Sequence, residues 1–198
     1  EDLSAQIDYL VITPKFHLFI ECKNLIGNIE VNSNGDFIRT LKYNGRYNKE
    51  GIYSPITQNI RHIELIKKIK RERKTNRLAK ILFDKYFYDF HKSVVVLANP
   101  KTVINMKYAK KEIKNQIIRS DQLISHIRKM LSEDKDLNSK TKEMFEDADL
   151  YYSLHTPNNV DYTQKYNITD NEEIKGEITT KQKSLYMELK QYRYEISK

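Results

Sequence analysis

The chain has 198 residues, a formal net charge of +8, 39% hydrophobic and 31% charged residues, and a single cysteine. This is enough chain for one moderate domain with an appendage, too apolar for disorder throughout, and without a run long enough to span a membrane. One cysteine excludes an internal disulfide framework and a cysteine-rich zinc site, and a cytoplasmic location follows as the default. The sequence begins at Glu1 without a methionine, close to its first strand, as a fragment would.

In chain order, residues 6–24 (QIDYLVITPKFHLFIECKN) read as two β-rich runs around a short turn. Asp8 lies in the first run, and Glu21 and Lys23 lie in the second. Alternation along a strand puts Glu21 and Lys23 on one face and Cys22 on the other, towards the core. If the runs pair as a hairpin, registers that set Asp8 opposite Glu21 or opposite Lys23 gather all three on one face. A register opposing Asp8 to Cys22 scatters them. Gln6 shares the face of Asp8.

Gly27 breaks the run, and Asn28–Ser33 alternates as a strand. Asn34-Gly35 signals a two-residue hairpin turn into a return strand from Asp36 to Leu41. Lys42–Tyr53 lacks periodicity and reads as an ordered loop. Ser54-Pro55 marks a helix start that runs to about Arg73, with Ile56, Ile60 and Ile63 on its apolar face. A shorter helix follows from Arg77 to about Phe83. Ser93–Ala98 reads as a strand buried on both faces. Ile113–Arg119 reads as an edge strand, followed by a helix from Ser120 or Asp121 to Leu131. Lys140–Leu154 reads as an amphipathic helix, residues 156–181 as a linker, and Gln182–Ile196 as a last amphipathic helix. Strands and helices so mixed predict an α/β or α+β domain, a mixed sheet flanked by helices.

Two carboxylates on one strand face repel unless a cation intervenes, and a hard divalent ion is the usual solution. Asp8, Glu21 and the carbonyl of Cys22 would supply oxygen ligands, while Lys23 would position an attacking water or neutralise charge on a phosphate. The plain alternative is a set of exposed charges on a hairpin. Downstream, Lys67, Lys68, Lys70, Arg71, Arg73, Lys74 and Arg77 give a net +6 across eleven positions. Such clustering suits a polyanion, nucleic acid above all, although a solvated helix end would look the same. Gln58 and His62 stand one helical turn apart, on one face of the Pro55 helix.

The stretches QIDYLVI, LFIECKNLIGNI and SPITQNIRHI, in that order, resemble the nuclease-related domain (NERD) family of the PD-(D/E)XK nuclease superfamily. Asp8, Glu21, Lys23, Gly27, Pro55 and Gln58 fall on the positions that carry the resemblance, which covers roughly residues 4–131. Ile7 stands where the superfamily name has proline, and the helix that usually precedes the Asp strand does not appear in this sequence. The resemblance implies a restriction-endonuclease-like fold over residues 1–155 and Mg2+-dependent DNA hydrolysis, with Mn2+ able to substitute. It makes Asp8 and Glu21 metal ligands, Lys23 the catalytic lysine, and Gln58 a residue that orients water or contacts a phosphate. His62 and the basic stretch would contact DNA. LYMELKQYRYEIS, through Leu185, Leu189 and Arg193, resembles the opening helix of a helicase-and-RNase-D C-terminal domain. Two other functions fit the residues: a non-cleaving nucleic-acid-binding or adaptor domain of the same fold, and an interaction module whose charge serves solubility.

Overall fold

The structure, a computed structural model, describes residues 4–133 and 141–157. Most of the expected linker and the whole of the last helix lie outside the described residues. The chain divides into two units, Glu1–Leu154 and His155–Lys198, and every described strand and helix belongs to the first.

Among the described residues eight strands form two four-stranded sheets. The first has the order β1 (Tyr9–Ile12), β2 (His17–Lys23), β6 (His91–Leu97), β8 (Ile117–Arg119); the second runs β5 (Arg46–Ile52), β4 (Phe37–Tyr43), β3 (Asn28–Val31), β7 (Val103–Asn105). Both are mixed: β1 runs antiparallel to β2, while β2, β6 and β8 are parallel. In the second sheet β7 joins β3 in parallel beside two antiparallel pairs. Two sheets thus stand where the sequence pattern predicts a single mixed one. The fold is mixed α/β, two sheets flanked by helices, consistent with a restriction-endonuclease-like arrangement.

The first sheet is buried on both faces because β2 and β6 carry unbroken apolar runs. Leu18, Ile20, Val94 and Val96 pack on Leu123 and Ile127 of α4 (Leu123–Glu133). On the opposite face Phe19 packs with Ile63 and Ile66 of α1 (Pro55–Glu72) and Phe87 of α2 (Arg77–Phe90). Helix α1 starts as expected, Ser54 capping the Thr57 amide and Pro55 in the first turn. Its buried Asn59 pins it to the sheet by donating to the Phe19 carbonyl and Ser93 Oγ, both at 2.9 Å.

Several boundaries differ from the sequence reading. Lys42–Tyr53 is no loop but the end of β4 and all of β5, joined by Asn44-Gly45 with φ of 48° and 76°. Two successive left-handed residues make the tight turn whose twist matches the strands. Asn34-Gly35 does lie in a hairpin connection, but a longer one over residues 32–36, where Asn32 Oδ1 accepts from the amides of Asn34 and Asp36. Helix α2 continues to Phe90, and Lys111–Lys114 forms a one-turn helix, α3, before β8. Gly27, φ 94°, follows β2; a Cβ there would lie 2.6 Å from the Thr40 carbonyl oxygen, so only glycine lets the chain cross between the sheets here.

Helix α5 (Thr141–Ser153) has no fully buried residue and docks through polar groups and through the Tyr151 ring, which packs on the Phe19 cluster. Lys70 Nζ lies 2.6 Å from Asp147 Oδ1, and His17 Nε2 lies 3.5 Å from Asp147 Oδ2. His17 Nδ1 meets the Tyr151 hydroxyl at 3.0 Å, and the His91 ring stacks on Phe87. Burial, then the Lys70 ammonium, pushes His17 down to about 4 and His91 down to about 3. Both imidazoles are therefore neutral in the fold at pH values where an unfolded chain, near 6.5, would protonate them. Stability should be level above pH 7 and fall as pH drops from about 6.5 towards 4, since only the unfolded state takes up protons there. His17 alone should account for roughly 3 kcal/mol. Urea melts at pH 7, 5.5 and 4.5, repeated with His17→Gln, check this: the substitution should flatten the acid slope, and an unchanged slope would contradict it.

Candidate active site

The β1–β2 register sets the site. Tyr9 pairs with Ile20 and Leu10 with Phe19, so the same register carried one residue further sets Asp8 opposite Glu21. Leu10 and Phe19 both face α1, which places Asp8 and Glu21 on that side as well. Pairing ends at Tyr9, leaving the Cys22 amide without a backbone partner, and Asp8 Oδ2 accepts it at 2.8 Å. A strand residue directs its amide and carbonyl to the same edge. The Cys22 carbonyl therefore projects towards the edge where Asp8 lies.

Glu21 is 2% exposed although ionisable. Its Oε1 lies 2.6 Å from Lys23 Nζ, which also donates to Gln58 Oε1 at 2.9 Å. Gln58, arriving from α1, thus closes over the face that carries Glu21 and Lys23. Glu21 Oε2 has no hydrogen-bond partner; His62 Nδ1, itself buried and without one, lies 4.0 Å from it. His62 therefore stands with the carboxylates rather than with the basic stretch. Gln58, Arg61, His62 and Lys68 line a groove of about 510 Å³ beside this cluster. The Cys22 side chain packs against the α4-side core, and burial followed by the Asp8 and Glu21 carboxylates pushes its thiol up, so it is no nucleophile. Gln6 lies exposed before β1 starts.

The basic stretch divides. Lys70 is buried against Asp147, so it is withdrawn from the expected DNA-binding set: a side chain held there cannot reach a phosphate. Arg71 pairs with Asp84, Lys67 lies over the Phe87 and Tyr88 rings, and Lys74 over Phe83. Arg73 and Arg77 are exposed, and Lys68 alone of the seven lines the groove. Arg61 was missed because it lies outside the charged run; its place on the helix surface beside His62, over the Tyr53 ring, is the signal that could have found it.

Residues 1–98 match the family model of the nuclease-related domain. The match contains Asp8, Glu21, Lys23, Gln58 and His62 and ends just after β6, leaving β7, β8, α4 and α5 outside it. No curated protein and no solved structure matches the chain. No described helix is long and apolar enough to cross a membrane. The nuclease-related match and the clustered groups therefore rest on the same stretch of chain.

Proposed function

We propose that the chain belongs to the nuclease-related domain family within the PD-(D/E)XK superfamily and is a Mg2+-dependent deoxyribonuclease. The observation that carries this reading is the buried Glu21 carboxylate, with one oxygen on Lys23 and the other unpartnered. An orphaned buried carboxylate oxygen costs stability, so its retention argues for a ligand. Asp8, Glu21 and the Cys22 carbonyl offer oxygen atoms alone, which suits Mg2+. Among the described residues no three His, Cys, Asp or Glu side chains gather tightly enough to cage an ion. When bound, the ion would supply Lewis acidity and lower the pKa of a water.

The remaining work falls to the chain's own groups. Lys23, 27% exposed and held between Glu21 and Gln58, presents its ammonium to the solvent side, where it can orient a water and offset charge on the phosphorus oxygens. Gln58 holds Lys23 in place. Lys68 and Arg61 lie along the groove to contact flanking phosphates without reading sequence. Supercoiled plasmid should be nicked with Mg2+ and spared with EDTA, and Lys23→Ala should slow nicking by about 10²-fold or more. Equal nicking by wild type and Lys23→Ala would sink the mechanism. Salt-sensitive DNA binding without cleavage would instead favour a non-cleaving adaptor.

A further inference from the structure

Glu21 Oε2 and His62 Nδ1 face each other across 4.0 Å, both buried and both without a hydrogen-bond partner. The gap is too wide for a hydrogen bond. It is about twice the 2.0–2.1 Å of an ordinary metal–oxygen or metal–nitrogen bond. Their positions are fixed independently: Glu21 by the β2 register and its contact with Lys23, His62 by helix α1, which Asn59 pins to the sheet three residues earlier. Two unpartnered donors brought to that spacing from a strand and a helix form a built gap rather than a loose surface pair. We propose that His62 is a nitrogen ligand of the metal site, which it would share with Glu21. It would bias an otherwise all-oxygen site from Mg2+ towards a first-row transition ion, of which Mn2+ best tolerates oxygen-rich surroundings.

This rests on the nuclease reading only in requiring a divalent ion at Glu21. A water bridging the two atoms would span the same gap, and the test separates them. Mn2+ is titrated into the protein while its electron paramagnetic resonance is followed, and the electron spin echo modulation of bound Mn2+ is recorded. Wild type should show ¹⁴N modulation from a directly bound imidazole. His62→Gln should lose that modulation and bind Mn2+ about 10-fold or more weakly, with its far-ultraviolet circular dichroism unchanged. Glu21→Gln should abolish the bound signal, which locates the ion. Bound Mn2+ that depends on Glu21 but lacks ¹⁴N modulation overturns the role of His62 and leaves the nuclease reading standing. Because this result comes from the wild-type protein, it holds even if a variant fails to fold. Absence of any bound Mn2+ or Mg2+ overturns both.

Discussion

Glu21→Gln should abolish metal-dependent cleavage while leaving the melting temperature unchanged or raising it by a few degrees. The carboxylate is almost wholly buried and has only one of its two oxygens satisfied, by Lys23. Taking a charge out of water costs several kcal/mol, and a single contact with a partly exposed lysine offsets only part of that. Glutamine keeps the volume and an acceptor for Lys23 but carries no charge. Lys23 retains Gln58 and solvent, so the substitution strands no cation. Cleavage should fall by about 10³-fold or more, because the proposed metal site would lose a principal oxygen ligand. Paired melts and plasmid assays check both halves. A fall of more than about 5 °C, roughly 1–3 kcal/mol for a chain of this size, would mean that the Glu21–Lys23 pair is structural.

The second large effect is expected at the other end of the same strand. Asp147→Ala should destabilise the fold by about 3 kcal/mol, since it leaves the Lys70 ammonium buried without its carboxylate. Burial already lowers the Lys70 pKa, and the hydrogen bond and charge of Asp147 oppose that shift. Without them the lysine must give up its proton or draw in water. Replacing both partners, Lys70→Met with Asp147→Leu, should recover most of the loss, because apolar side chains satisfy each other. Differential scanning calorimetry of the three variants at pH 7 decides it. An Asp147→Ala midpoint within about 2 °C of wild type would show that α5 is not held by this pair.

The β1–β2 hairpin was legible because its signals are local. Alternation fixes Glu21 and Lys23 on one face, and a buried sheet penalises any slip that would turn Asp8 away. The α1 cap was equally plain, and it delivered Gln58 within 2.9 Å of Lys23. Strand β5 was not legible because it gives no apolar signal: Arg46–Lys49 are exposed on both faces, so only the Asn44-Gly45 turn announced the hairpin. That the strands form two sheets rests on β7 joining β3 across some seventy residues, which no local pattern records. Lys70 belonged by sequence to a run of surface cations; its partner Asp147 lies 77 positions away, in an amphipathic helix whose pattern does not say what it packs against.

None of the α5 side chains is fully buried, and its grip is a carboxylate and a phenol on the His17 imidazole and the Lys70 ammonium, together with the Tyr151 ring against Phe19. Apolar contacts are nearly indifferent to solution conditions near neutrality, whereas opening that frees the His17 imidazole is favoured by protons and the Lys70–Asp147 pair answers to ionic strength. Local opening should therefore begin at α5, with its amides exchanging before those of β2 and β6. The chain leaves the Glu1–Leu154 unit from this helix. The polar contacts of α5 thus form a releasable clasp, and mild acid or salt loosens it while the carboxylates at the far end of β2 keep their places.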